Sequence, residues 1–418
     1  MPEQSPAASP EVLEESRSVP VVAGVVAAVV GFSSSFVVVL AGLGAVGASP
    51  QQAASGLLAL CLTQAAGMAW LAWRHRTPIA LAWSTPGAAL LLTTGAVDGG
   101  WPAAVGAFLL VGVLILLTGL LPWLGALIAR IPAALARAML AGVLLPICLT
   151  PVTGLAADPW LVAPVVLTWL VLARPAPRWA VPASLVAALV VVVVEAGGTV
   201  RAADLAPTLT WTTPTLTAAA AVSIALPVWI VTMASQNVPG VAVMTTQEWS
   251  VPWRSTRGVT GTATLLGAPL GGHAVNLAAI TAAMVAGPLA GADRARRWWA
   301  ALSAAAAYVV LGLAAAALAT LVAAAPGSVI PAAAGLALLG TFATSLTGAL
   351  AEDDEREAAA ICFLVAASGI SVAGIGAAFW ALVAGLLARA LLHPRFGTAT
   401  AGQRPRSRLG RHDSGAPS

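Results

Sequence analysis

Residues 267–283 read GAPLGGHAVNLAAITAA, and this stretch decides the fold. It sits inside a chain that is otherwise apolar on both sides. Pro269, Gly271 and Gly272 interrupt the run and free backbone amides and carbonyls. In a bilayer, such backbone is tolerated only where protein buries it or where it lines a cavity. The spacing predicts a short helix starting near His273, one of four histidines and the one set deep in an apolar segment. A broken helix with an ionisable group at its start is what a transporter site near the membrane midplane needs.

Composition points the same way. Of 418 residues, 59% are hydrophobic and 9% charged, and the mean hydropathy is +0.91. That excludes an ordinary soluble domain and gives a polytopic membrane protein. The net charge of +4 does not mark a nucleic-acid binder, because the cationic side chains are all Arg and lie mostly in short loops or the C-terminal tail. Cys61, Cys148 and Cys362 stand far apart in apolar runs and read as small core residues, not as a disulfide framework or a metal set. The acidic, Pro/Ser-rich start lacks the basic and apolar regions of a cleaved signal peptide, so the first span is expected to serve as the insertion signal.

Apolar windows of crossing length are expected at 19–44, 50–73, 77–96, 101–121, 132–154, 159–173 and 178–197 in the first half. A short interfacial segment is expected at 122–131, and a kink at Pro146. After a polar stretch at 198–213, windows follow at 214–235, 256–267, 267–287, 297–324, 329–351, 358–370 and 371–392. Gln236 to Gly240 are expected to end or bend span 8. The predicted fold is all-α, with 14 transmembrane segments in a 7+7 inverted repeat. The broken segment is third in each half, as spans 3 and 10. With the N-terminus inside, this count puts nearly every Arg, Arg254 and Arg257 included, on the cytoplasmic side, and only Arg201 outside. The acidic cluster of Glu352, Asp353, Asp354, Glu355 and Glu357 is read as a solvated helix start. Trp73, Trp101, Trp160, Trp179, Trp253, Trp298 and Trp299 suit an interfacial belt.

The two breaks define a candidate site. Half-helices starting in spans 3 and 10 would turn two N-termini, with free amides and partial positive charge, toward one pocket. Ser84, Thr85 and Gly87 belong to the first break, and Gly271 and Gly272 to the second. Gln236 and Asn237 come from span 8. Asn276, three residues after His273, would share its helix face. No Asp or Glu lies in these motif regions. A carboxylate would meet donors and no fixed negative charge, and Phe32, Phe36 and Trp83 could hold an apolar body. Each has a plainer reading: His273 could pack against a neighbouring helix, and Gln236 and Asn237 could be interhelical glue. Thr63 and Gln64 read as packing contacts, and Ser33 to Ser35 as small residues at a helix interface.

STPG at 84–87, SQNVPG at 235–240 and GAPLGGHAVNLAAIT at 267–281 resemble the benzoate:proton symporter family (BenE type), and the resemblance covers roughly residues 19–392. That family is similar in fold to nucleobase symporters and sulfate/anion transporters. It implies a core domain of spans 1–4 and 8–11 (18–121, 198–293 and 294–325) and a gate domain of spans 5–7 and 12–14 (122–197 and 326–392). Disordered tails are expected at 1–17 and 393–418. Cargo would sit between spans 3 and 10 and move by core motion against the gate. Nucleobase relatives carry acidic residues where this chain has Gln236, beside Asn237, and Val275, which argues against a uracil- or xanthine-like substrate and fits an aromatic carboxylate.

The expectation is a proton-coupled importer of benzoate or a similar aromatic acid in the plasma membrane, with both termini cytoplasmic. Ser84, Thr85, Gly87, Gln236, Asn237, Gly271, Gly272, His273 and Asn276 would bind substrate. His273 would couple the proton, unless the substrate itself carries it. Two rivals are an exchanger or channel for another anion and a membrane enzyme. For an enzyme the sequence lacks paired Asp-rich motifs, a His-rich metal set or a nucleophile–base pair; no cofactor or metal is expected. Partners are the aromatic carboxylate, the proton and the lipid bilayer, with no nucleic acid. Relatives on this fold often dimerise, though no dimer face is marked in the sequence.

Overall fold

A computed structural model describes residues 18–196, 205–279, 281–372 and 375–392. Both expected tails, Arg201 and some of the polar stretch lie outside them. The first half contains α1 (Ser18–Ser33), α2 (Phe36–Ala45), α3 (Pro50–His75), strand β1 (Leu81–Trp83), α4 (Thr85–Thr94), α5 (Gly100–Leu120), α6 (Pro122–Ala129), α7 (Ala133–Ala157), α8 (Pro159–Ala173) and α9 (Pro177–Ala196). Next comes one long helix, Ala218–Thr246, made of α10 (Ala218–Ala220), α11 (Leu226–Thr232) and α12 (Val238–Thr246), with π-helical turns at Ala221–Ala225 and Met233–Asn237. The chain continues with α13 (Trp253–Gly267), strand β2 (Val275–Leu277), α14 (Ala282–Ala286), α15 (Trp298–Leu313), α16 (Ala315–Ala323), α17 (Val329–Ala349), α18 (Arg356–Ala367), a small hairpin of β3 (Ser371–Val372) and β4 (Ile375–Gly376), and α19 (Ala377–Leu392).

Among the described residues, seven helices are long and apolar enough to cross a membrane. The pair α15 and α16, bent by 48°, is a candidate eighth. The chain is a multi-pass membrane protein.

Local chemistry explains the element boundaries. Ser49 and Gln52 form a reciprocal capping box at the start of α3, with Pro50 in the first turn. The Ser33–Ser35 patch separates α1 from α2. The hydroxyls of Ser33, Ser34 and Ser35 donate to the carbonyls of Val29 and Gly31, at 2.7, 2.8 and 3.3 Å, and compete with the helix ladder.

Several expectations need correcting. The Gln236–Gly240 stretch does not end its helix, which absorbs the extra residue as a π turn and runs on to Thr246. The last segment starts with a hairpin, and α19 begins at Ala377, not at Ser371. Trp101 and Trp298 are buried within the protein: the Trp101 indole donates to Thr212 Oγ1 at 2.9 Å, and Arg76 stacks over Trp298. Glu355 is buried and accepts from Arg389 Nε at 2.7 Å, so one member of the acidic cluster ties α18 to α19 and is not solvated.

Two packing groups are evident. In one, α1 and α3 pack on α15, α5 and α3 on α13, and α2 on α4. In the other, α7 packs on α17 and α18, α18 on α19, and α8 on α9.

Candidate functional site

The site is built on β1 and β2, which pair antiparallel with Leu81 opposite Leu277, Ala82 opposite Asn276 and Trp83 opposite Val275. The ladder extends past both strands. Ser84 N donates to Ala274 O and Ala278 N to Ala80 O, each at 3.0 Å. The two breaks are therefore extended segments that satisfy each other's backbone inside the protein. This differs from the expected half-helix starting near His273. Asn276 lies in β2 and His273 in the non-helical stretch that leads into it, and the helix of this segment, α14, begins only at Ala282 and is five residues long. Strand pairing satisfies backbone groups from both breaks at once, which a single broken helix cannot do for itself.

The outer edge of β2 is completed by side chains. In an antiparallel pair alternate amides face away from the partner. Here these are Val275 N, which donates to Thr264 Oγ1 at 3.0 Å, and Leu277 N, which donates to Asn237 Oδ1 at 3.0 Å. Thr264 in turn donates to Thr260 O at 2.8 Å, and Asn237 Nδ2 lies 3.1 Å from Met233 Sδ. The polar groups of Asn237 thus hold the strand. Gly240, one turn on, allows this approach: a Cβ there would come within 2.8 Å of Leu277 Cβ.

Ser84 organises the other break. It caps α4: the Gly87 amide donates to its Oγ at 3.1 Å and the Ala88 amide to its carbonyl at 2.8 Å. Pro86 has no amide to offer. The first turn of α4 therefore presents fewer free donors than its sequence implies. Thr232 donates to Ser84 Oγ at 2.6 Å, and Thr85 is partly exposed. His273 Nε2 lies 2.9 Å from Ser84 O. A carbonyl only accepts, so Nε2 carries the hydrogen. His273 Nδ1 and Asn276 Oδ1 are buried without a hydrogen-bond partner. Asn276 Nδ2 donates to Leu277 O at 2.7 Å. Gln236 is half-buried in the π turn beside Asn237.

Gly271 adopts φ +98°, a conformation that favours glycine. It also lies against α3, where a Cβ would sit 3.0 Å from Gln52 O and 3.1 Å from Gly56 Cα. Gly272 N donates to Gly267 O at 2.9 Å, closing the turn into His273.

A buried aromatic cluster packs around Trp83 of β1. Phe32 stacks on Phe36 at 5.1 Å and meets Trp83 edge-on at 5.6 Å, and Trp83 meets Tyr308 edge-on at 5.9 Å. The Trp83 indole donates to Ser35 Oγ at 2.9 Å. Phe108 faces the His273 ring at 6.3 Å. Sequence reasoning missed Thr232, Thr264, Tyr308 and the burial of Arg257. A signal for two of them was present: Thr256, Thr260 and Thr264 recur every fourth residue along α13, with Arg257 beside them.

The chain matches the family of benzoate membrane transport proteins, BenE, over residues 14–391. It belongs to the BenE family. It is 38% identical over 364 residues to the inner membrane protein YdcO of Escherichia coli (strain K12), covering 87% of this chain and 93% of that one. It is 27% identical over 384 residues to the benzoate membrane transport protein of Acinetobacter baylyi, covering 89% and 94%. Among solved structures it is similar to the transmembrane domain of the cyanobacterial bicarbonate transporter BicA (TM-score 0.57, 14% identity, 88% and 97% covered). It is also similar to the murine anion transporter Slc26a9 in its inward-facing state (TM-score 0.56, 10% identity, 93% and 73% covered). At such identities these structures speak for the fold alone. This BenE-family chain is a membrane transport protein, and its fold resembles that of anion transporters.

Proposed function

We propose that the chain carries a small anion across the membrane by alternating access, with benzoate or a similar aromatic carboxylate as the cargo and a proton as the driving ion. The observation that carries this reading is the β1–β2 crossing. The segment that enters and forms β2 carries two buried side-chain atoms without partners, His273 Nδ1 and Asn276 Oδ1, in a region of sequence free of Asp and Glu. With Nε2 fixed on Ser84 O, Nδ1 is the ring atom left to take a proton. Phe32, Trp83 and Tyr308 supply apolar surface for an aromatic body. In this reading Ser84, Thr85, Gly87, Gln236, Gly271 and Gly272 would take part in binding the carboxylate. Asn237 acts by holding β2.

The same reading takes the chain as a 7+7 inverted repeat of 14 segments, with the antiparallel strands as its broken spans 3 and 10. The two packing groups support a core of spans 1–4 and 8–11 moving against a gate of spans 5–7 and 12–14. Both termini would be cytoplasmic, and a second copy would be the partner in a homodimer. A second reading, exchange or channel-like flow of another organic or inorganic anion, draws support from the likeness to a bicarbonate transporter.

The test is uptake of labelled benzoate into proteoliposomes, with and without an inward proton gradient. Protein-free liposomes are the control, because protonated benzoic acid crosses lipid unaided. Accumulation above that control that needs the gradient and collapses with a protonophore is expected. Uptake indifferent to the gradient would favour the second reading.

A further inference from the structure

Arg257 lies in the second turn of α13 and is fully buried. Its Nε and NH2 groups have no hydrogen-bond partner, and among the described residues no carboxylate pairs with it. A buried guanidinium without a counter-charge is unfavourable, and natural chains keep one where something charged comes to meet it. The side chain is held in place from three sides. Trp253 stacks beneath it, with the guanidinium carbon 4.7 Å from the ring centroid. NH1 lies 4.0 Å from Met233 Sδ. On α5, Gly119 lies so close that any side chain there would clash with Arg257 Cβ.

Its surroundings lead to the β1–β2 crossing. Met233 also receives Asn237 Nδ2, and Asn237 Oδ1 holds the Leu277 amide. Two side chains thus link the guanidinium to β2. Arg257 and Thr264 lie on one face of α13, separated by two turns or about 10 Å along the axis. Between them stands Thr260, also buried. Met233 opens the π turn Met233–Asn237, where Ser235 Oγ is another buried atom without a partner.

We propose that Arg257 is a second anion-binding point on the transport path. Its open N–H edge takes the carboxylate, or an equivalent oxyanion, after the cargo leaves the strand crossing toward the end of the molecule where α13 begins. Planar donors on a rigid fork suit a two-oxygen anion better than a halide. This rests on the reading of the chain as a small-anion transporter.

The experiment is thermal melting of the detergent-purified full chain, titrated with benzoate, bicarbonate and sulfate, for the wild type, Arg257→Met and Arg257→Lys. The wild type should be stabilised by benzoate. Without anion, Arg257→Met should melt no lower than the wild type, because an unpaired buried charge has been removed. Its half-saturating concentration should rise about a hundredfold, and that of Arg257→Lys about tenfold, since an ammonium keeps the charge and loses the fork. An unchanged half-saturation in Arg257→Met would overturn the assignment, as would a lower melting point with the anion response intact. If Arg257→Met does not fold, an unchanged response in Arg257→Lys overturns it equally. A wild type stabilised by bicarbonate or sulfate but not by benzoate defeats the aromatic reading alone, and Arg257 is then judged with the responding anion. A wild type unmoved by all three defeats both.

Discussion

The side-chain oxygen of Asn237 accepts the backbone amide of Leu277 at 3.0 Å, so a helix residue completes the edge of a strand buried in the membrane domain. The amide has no water to fall back on. Asn237→Leu should lower stability by about 1–3 kcal/mol, the cost of an unsatisfied buried donor. The midpoint of thermal unfolding in detergent decides this, and a midpoint equal to that of the wild type would mean that the contact contributes nothing.

Thr264 serves β2 in the same way at Val275, whose amide it accepts at 3.0 Å. Thr264→Val preserves shape and removes the acceptor, so it should cost about 1–3 kcal/mol. Thr264→Ser should retain most of the stability. Because Asn237 and Thr264 serve adjacent outward amides of one strand, combining Asn237→Leu with Thr264→Val should give a non-additive loss. A double-mutant cycle on the melting data reads this coupling directly.

Gly271 combines φ +98° with close contact to α3. Gly271→Ala meets both a conformational cost of about 1–2 kcal/mol and a Cβ placed 3.0 Å from Gln52 O. The variant should unfold at lower temperature and lose transport with it. Gly340, whose Cβ would meet nothing within 4 Å, is the control position inside α17, and Gly340→Ala should keep transport and melt no lower than the wild type, since alanine favours a helix over glycine.

The sequence marks interruptions in its apolar runs but not the structure that forms there. Pro269, Gly271 and Gly272 are local signals, and so is the Ser84-Thr85-Pro86-Gly87 turn that starts α4. Strand pairing between Ala82 and Asn276 joins residues 194 positions apart (276 minus 82), and nothing local reports such a contact. Reading residues 273–276 as helix followed from apolar composition, which cannot separate a short buried strand from a helix. The sequence places Arg257 at the cytoplasmic start of the 256–267 window, three residues after Arg254; only the packing of α5 and Trp253 around it shows that it is enclosed. The polar residues named at the site were legible because few others stand so deep in apolar sequence. Their roles were not, because Asn237 and Ser84 hold backbone through contacts that only the fold creates.

His273 separates a structural from a proton-handling role by its two ring nitrogens. Nε2 donates to Ser84 O at 2.9 Å and Nδ1 has no partner. Glutamine places an amide nitrogen near the position of Nε2, so His273→Gln can keep the bond to Ser84 and cannot take up a proton at Nδ1. His273→Ala loses both. If His273 couples the proton, His273→Gln should melt close to the wild type, still bind benzoate, and fail to accumulate it under an inward proton gradient. His273→Ala should fail as well and should also be less stable by about 1–3 kcal/mol, because it deletes a buried hydrogen bond and leaves space where the ring packed, while Ser84 O keeps only the Ala88 amide. Gradient-driven accumulation by His273→Gln at the wild-type rate would place the proton on the substrate and leave His273 the task of joining β1 to the loop before β2.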